Sequence, residues 1–494
     1  MGYYIGVDLG TSSLKLMLVD PMGGILKTTS RSYDVKYPRS GWSEQSPEDW
    51  WSAFLDGADE LLDGFDSSLI KAIGVGGQMH GLVALDENDR VLRPAILWND
   101  GRTFKEVEYL NCEIGKDKLS GNTANIAFAG FTAPKILWMK KNEPELFVKI
   151  KKIMLPKDYL NYKLTGSFAT DLSDASGMLL LDVKNRCWSK EMIDICGITE
   201  DMLPKLYESY EVIGTVKDSV SSKLGIKSDV IVVAGAGDNA AAAVGTGTVG
   251  NGKCNISLGT SGTVFISADE FSVDTNNALH SFCHSDGRYH LMGCILSAAS
   301  CNKWLCENVF KTKDIGAEIA NIKEEMLGNN EVYFLPYLMG ERSPVNDTDA
   351  RGVFIGMTPA TTREEMLLAV IEGVTFAIRD NLEVARSLGL EITTSKLCGG
   401  GARSELWQKI LANALGLTLE LPSTEEGPGY GGAILAMVGA GEYGSVKEAA
   451  SELAEVRGTV CPTSDLTEKY EKKYKIYKQI YPALKCVFKN MRSI

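Results

Sequence analysis

Residues 5–19, IGVDLGTSSLKLMLV, carry an apolar run, a Gly-Thr-Ser turn, and a second stretch alternating through Leu14, Leu16 and Leu18. Alternation with period two on either side of a turn predicts a β-hairpin. Residues 256–266, ISLGTSGTVFI, repeat the same grammar, and Gly10 and Gly259 stand about half of the 494-residue chain apart. A repeated unit at that distance predicts two related halves, each opening on a hairpin.

Between the hairpins the period switches back and forth. Ser46-Pro47-Glu48-Asp49 reads as an N-cap with Pro at N1 and a carboxylate at N3, opening a helix through Trp50, Trp51, Phe54 and Leu55. Residues 70–76 and 93–98 read as short strands and 134–141 as a helix. Residues 230–237, VIVVAGAG, read as one buried strand running into the helix former NAAAAV. In the second half, LHSFCHSDGRYHLMG predicts a hairpin turning at Ser285-Asp286-Gly287, followed by an apolar helix over 298–304. Residues 364–388 predict a long amphipathic helix, and LCGGGARSELWQKILANALG a strand, glycine turn and helix. Alternating strands and helices make this an α/β chain. The division is expected near residue 250, within GTGTVGNGK, giving domains 1–250 and 251–494.

Composition narrows the function. Lys and Arg number 51 against 64 Asp and Glu, a net charge of −13, which repels nucleic-acid backbone and anionic membrane alike. The start, MGYYIGVDLG, has no basic leader, and Gly6 stands where a myristoylation motif needs Ser or Thr. No run reaches the roughly 18 apolar residues of a spanning helix. A cytoplasmic protein is expected. The eleven cysteines form no C-x-x-C pair, so reduced thiols are expected rather than a disulfide framework or zinc ribbon.

Two glycine-hydroxyl hairpins, one per half, suit a polyphosphate held between domains, because glycine lets the backbone approach and turn N–H groups point at the anion. Asp8 offers a hard oxygen for Mg²⁺ or its waters, and Lys15 is near enough to neutralise phosphate. G-x-x-x-x-G-K-[ST] is absent. Gly235-x-Gly237-x-x-Ala240 has the outline of a dinucleotide fingerprint, but no Asp or Glu lies between Asp238 and Asp269 to hold a ribose. Asp238, at a strand end and helix start, is placed either to accept a substrate hydroxyl's proton or to cap the helix. His80, in GGQMHG after a strand, is open to a sugar-binding role or to that of a solvated loop histidine. His280, His284 and His290 lie near Cys283 and Cys294, but their spacing matches no standard zinc set, and a polar sheet face explains them better.

DLGTSSLK at 8–15, GQMHG at 77–81, WNDGR at 98–102, AGFTAPKILW at 129–138, KDYLNYKLTG at 157–166, GAGDNAA at 235–241, SLGTSG at 257–262 and GGGARS at 399–404 follow one another in the order of the motifs of FGGY-type carbohydrate kinases. The chain resembles that family over nearly its whole length. The resemblance implies an actin-like pair of ribonuclease-H-like domains with ATP and sugar in the cleft between them. It makes Asp238 the base that deprotonates the terminal sugar hydroxyl and puts Asp8 near the metal. Thr11, Ser12 and Lys15 on one side and Thr260 on the other would hold the phosphates. Met79 and His80 would line the sugar pocket with Asp238, Asn239 adding a hydrogen bond, and Gly400, Ser404 and Lys303 would border the nucleotide.

Three positions depart from the family pattern: Ala299 where many relatives have Gly, Ser404 where some have Asn, and Asn413 where an acid is frequent. All three are expected to bear on nucleotide contacts. GQMHG argues for a ketopentose, where glycerol-phosphorylating members carry an Arg-Glu pair. Ribulose, glycerol or gluconate as substrate, or an actin-like ATPase acting on no sugar, are the rival readings. A small-molecule partner, Mg²⁺ with ATP as cofactors and a homodimer complete the expectation.

Overall fold

The computed structural model describes residues 2–424 and 426–491. β1 (Tyr3–Leu9) and β2 (Ser13–Val19) form the first hairpin, with Asp8 opposite Lys15, and β3 (Ile25–Ser32) pairs antiparallel with β2. On the other side of β1 lies β4 (Ile70–Gly77), parallel to it. β5 (Val212–Thr215) and β6 (Ile231–Val233) are antiparallel to each other, with β6 parallel to β4, and the short β7 (Ala236–Gly237) extends β4's ladder.

The second hairpin, β8 (Cys254–Leu258) and β9 (Gly262–Ala268), opens another sheet with β10 (His280–Cys283), β11 (Tyr289–Ile295), β12 (Thr394–Cys398), β13 (Thr418–Pro422) and β14 (Val456–Val460). Its order is β10-β11-β9-β8-β12-β13-β14. β3-β2-β1-β4-β6 in one sheet and β11-β9-β8-β12-β13 in the other have the same plan: three antiparallel strands, then two parallel ones. The echo in the sequence is thus an echo of topology.

Helices cover the sheets where their apolar stripes dictate. In α1 (Pro47–Leu62), Trp50, Phe54, Ala58 and Leu61 repeat at helical spacing and bury against β2 and β3, each large side chain contributing about 1.5–3 kcal/mol. Ser46 does precede this helix, but its hydroxyl makes no capping bond. Around the cleft stand α2 (Thr132–Asn142), α3 (Pro156–Thr165), the single turn α4 (Leu172–Ala175), α5 (Asp238–Gly245) and α6 (Ala299–Trp304). The predicted long helix is α7 (Arg363–Ser387), started by a Thr362–Glu365 capping box, and α8 (Glu405–Leu415) follows the glycine turn. α9 (Gly427–Gly439) and α10 (Ser464–Met491) complete the second half.

Two features depart from the pattern-based expectation. Residues 230–237 are not one strand: Gly235 adopts φ +73°, and a Cβ there would fall 2.1 Å from the Val75 carbonyl, so the chain kinks between β6 and β7. α9, from the second half, lies on β1 and β4 of the first sheet and crosses α5, which a cut at residue 250 does not describe. Ala240, Ala241 and Val244 meet Tyr430, Ala433 and Ile434 in a core shared by both halves.

The α5–α9 crossing requires a bare backbone. A Cβ on Gly431 would sit 1.8 Å from the Ala241 carbonyl oxygen. Gly431→Ala is therefore expected to destabilise the protein by about 1–3 kcal/mol through overpacking, although alanine favours helix by about 1 kcal/mol. A denaturation midpoint at or above that of the wild type would contradict this packing.

Candidate active site

β4 ends at Gly77 and the kinked β6–β7 run ends at Gly237, so the carboxyl ends of two neighbouring strands open onto the cleft. Asp238 follows directly. The helix cap is Gly237 and Asp238 is the first helical residue, which leaves its carboxylate free of capping. One oxygen, Oδ1, accepts the Asn239 N–H at 2.8 Å and Asn239 Nδ2 at 2.9 Å. Burial drives the carboxyl up to about 6 in spite of these two bonds, which favour the charged form.

Asp8, in β1, is pushed further, to about 7, first by burial and then by the Asp238 carboxylate, with Lys15 opposing. Two carboxylates thus share the floor of the cleft at raised affinity for protons, an arrangement that favours a bound cation. Lys15 crosses the cleft to Glu426, at the start of α9, with Nζ–Oε2 at 2.6 Å.

The first hairpin turn is braced. Gly10 N–H bonds the Ser13 carbonyl, and Tyr33 and Gln78 both donate to the Gly10 carbonyl. The Thr11 hydroxyl receives the Trp98 indole N–H at 3.0 Å and donates to Gln78 Oε1 at 3.3 Å, while Ser12 is exposed. Thr11 therefore ties the hairpin to WNDGR and GQMHG, and Ser12 is the free hydroxyl of the turn.

His80 is held in a left-handed backbone conformation, φ 69°, uncommon for a non-glycine residue. Its carbonyl accepts from Thr132 Oγ1 at 3.1 Å and Lys135 Nζ at 2.8 Å, and Lys135, wholly buried, also donates to the Gly130 carbonyl. The ring Nδ1 lies 2.8 Å from the Gly177 carbonyl, and burial, with the Lys135 ammonium, pushes the imidazole down to about 3. It is neutral, with Nε2 as the acceptor. Met79 is buried beneath Gly237, so the GQMHG turn packs against the residue that precedes Asp238.

A cavity of about 450 Å³ opens from Asp238 and Asn239 toward the second sheet, where Gly259, Ser261, Gly399 and Gly400 line it. That volume is in the range of small-molecule sites. Of the residues expected at the nucleotide, Gly400 lines this cavity, and no neighbouring atom lies within 4 Å of where its Cβ would be. The carbonyl of exposed Thr260 anchors α6, accepting Ala298 N–H at 2.9 Å and Ser300 Oγ at 2.7 Å. Ser404 does not border it: the hydroxyl caps α8 by accepting the Trp407 N–H. Lys303 is exposed on α6 and is likewise not among the lining residues. Asn413 is buried, and its Oδ1 accepts from Thr463 and Thr467 at the start of α10, so that departure concerns packing and not the nucleotide. The Ala299 N–H bonds the Gly259 carbonyl.

Sequence reasoning passed over Lys157. Its ammonium is completely buried, 2.6 Å from Asp158, 3.0 Å from Asp171 and 3.8 Å from Asp174, and it also bonds the Ala234 carbonyl. Ser173 Oγ donates to Asp171 Oδ2 and accepts the Gly237 N–H at 3.2 Å, so this network reaches the turn that carries Asp238. A Lys-Asp pair opening an apolar helix was the available signal. Arg403, inside GGGARS, and Arg457, which had no signal beyond its positive charge, also line the cavity.

The N-terminal domain of the FGGY family of carbohydrate kinases matches residues 3–245, and its C-terminal domain residues 254–440. The chain is 40% identical over 483 residues to a xylulose kinase from Escherichia coli (97% of this chain, 99% of that one). It is 41% identical to a xylulose kinase from Klebsiella pneumoniae (88% and 89%). Its structure superposes on that of a xyloylose kinase from Brucella ovis with TM-score 0.94 at 39% identity (98% and 100%). A gluconate kinase from Lactobacillus acidophilus gives the same TM-score at 26% identity (99% of both). With two braced hairpins facing one cleft and both family domains matched in order, the chain belongs to the FGGY family of carbohydrate kinases, ATP-dependent sugar phosphotransferases of two-domain, actin-like fold.

Proposed function

We propose that this enzyme phosphorylates D-xylulose at its terminal hydroxyl, giving D-xylulose 5-phosphate. The observation that carries the reading is the position of Asp238: a half-buried carboxylate, oriented by Asn239, at the mouth of the glycine-lined cavity and next to Gly237, against which Met79 of the GQMHG turn packs. A base in that place takes the hydroxyl proton as the oxygen attacks phosphorus, and positioning supplies most of the remaining catalysis. Met79, His80 and Asn239 line the sugar side. Ser12, Lys15, the Thr11 and Thr260 backbone, and Gly400 face the nucleotide side. Lys15 exchanges its Glu426 partner for phosphate oxygen.

Asp8 and Asp238, the two carboxylates that share the cleft floor, fit Mg²⁺, which is typically held by one or two carboxylates plus substrate phosphates. Asp8 is the carboxylate proposed to hold it, directly or through water. When bound, the ion neutralises charge on the transferring phosphoryl group. Use of ATP and a phosphorylated sugar fits the cytoplasm, and no helix among the described residues is long and apolar enough to cross a membrane.

The xylulose assignment draws on GQMHG and on the names of the relatives. The gluconate kinase with the same superposition makes a direct test necessary. ADP release across D-xylulose, D-ribulose, glycerol and gluconate is expected to give the highest kcat/KM for D-xylulose. A higher value for any other member of the panel overturns the choice of sugar but not the family.

A further inference from the structure

We infer that Arg342, contributed by the second half of the chain, recognises the carbonyl end of an open-chain ketose, with His80 and His280 accepting from its hydroxyls. The inference rests on the proposal that the sugar binds beside His80 with its reacting hydroxyl at Asp238.

Arg342 is half-buried, its guanidinium 5.1 Å from the centre of the Phe128 ring. Phe128 packs edge-on against His280 (5.0 Å) and Phe131 (5.7 Å), and Phe131 lies 4.8 Å from His80. The guanidinium therefore stands at the wall that carries both imidazoles. Among the described residues it has no hydrogen-bond or ion-pair partner. Other arginines withdrawn from solvent in this structure are paired: Arg93 with Glu44 and Glu143, Arg102 with Asp100 and Glu44. A withdrawn, unpaired guanidinium is costly unless a ligand completes it.

The loop holding Arg342 is fixed. Glu341 Oε1 accepts the backbone N–H groups of both Arg342 and Leu296, each at 2.8 Å, pinning the loop to the end of β11. His280 sits in β10 with Nδ1 3.3 Å from Asn125 Oδ1, which leaves Nε2 as an acceptor, buried and without a partner. His80 presents Nε2 for the same reason, its Nδ1 facing the Gly177 carbonyl. Burial and the nearby Arg342 charge keep both rings neutral. Two lone-pair acceptors and one forked donor on an aromatic wall match a ketone oxygen flanked by hydroxyls. Because the donor comes from the second half and His80 from the first, the pocket is complete only when both halves face it.

The test compares Arg342→Met and Arg342→Lys with the wild type on D-xylulose and on a pentitol lacking the carbonyl, each variant first checked for an unchanged melting temperature. For Arg342→Met, KM for the ketose is expected to rise roughly 10- to 100-fold, the usual size of a lost charged hydrogen bond, with KM for ATP unchanged. The ketose-to-pentitol ratio of kcat/KM should collapse toward one, and Arg342→Lys should restore part of it. A purely structural residue would lower both substrates together. A wild-type enzyme active on the ketose, with variants that keep its ketose-to-pentitol ratio, overturns the role of Arg342 alone. A wild-type enzyme inert on the ketose overturns the sugar assignment and this inference with it.

Discussion

Asp238→Asn is expected to lower kcat for sugar phosphorylation by about a thousandfold or more while leaving ATP affinity unchanged. Asparagine is the informative replacement because its oxygen still accepts both Asn239 donors, so geometry is kept and only basicity is removed. The loss corresponds to about 4 kcal/mol of transition-state stabilisation. Stability should not fall: burial disfavours the charged form of Asp238, and a neutral amide relieves that penalty. The wild-type pH profile supplies a second check. A base must be ionised to work, so kcat/KM should decline as pH falls through about 6, the value to which burial lifts this carboxyl, and not through the ordinary aspartate range near 4. A variant retaining near-wild-type turnover would remove Asp238 from the chemistry, and an acidic limb centred near 4 would place the titrating base elsewhere.

The legibility of these features varied with how local they are. Both hairpins, the long α7 and the strand–glycine–helix run into α8 were readable, because period-two and period-3.6 patterns with caps are short-range signals. Asp238 was readable as a strand-end carboxylate, but not its place one residue inside the helix cap, nor the positive φ of Gly235, where a Cβ would meet the Val75 carbonyl. The placement of α9 on the first sheet was not readable. Its sequence, GPGYGGAILAMVG, announces a helix of small and apolar residues but not which half it covers. In the chain His280, His284 and His290 are neighbours, with Cys283 and Cys294 among them. Folding separates them in role: His280 turns to Asn125 and Phe128, whereas His284 bonds the Thr248 carbonyl. Ser404 and Asn413 stand out in the sequence as departures from the family's residue pattern; in the fold Ser404 caps α8 and Asn413 ties α8 to α10.

Lys157→Met is expected to cost about 3–5 kcal/mol of stability, because it strips the ammonium from a buried site where it faces three carboxylates. Against a total stability of about 5–15 kcal/mol for a typical domain, that is enough to lower the denaturation midpoint severely. Methionine fills similar volume, so a cavity does not explain the loss. The pH dependence identifies the cause. Burial already raises Asp158 and Asp174 above the ordinary aspartate value while Lys157 holds them down, and removing Lys157 raises them further. For an acid whose folded affinity for protons exceeds its unfolded one, the folded state binds more protons, so stability falls as pH rises above the unfolded value and recovers as pH falls toward it. The variant should therefore lose much less stability at about pH 5 than at about pH 8, the reverse of ordinary acid denaturation. Activity should suffer as well, because the Asp171–Ser173–Gly237 chain steadies the turn preceding Asp238. A destabilisation under about 1 kcal/mol, or one that is equal at both pH values, would show that water or rearranged side chains neutralise this cluster without the lysine.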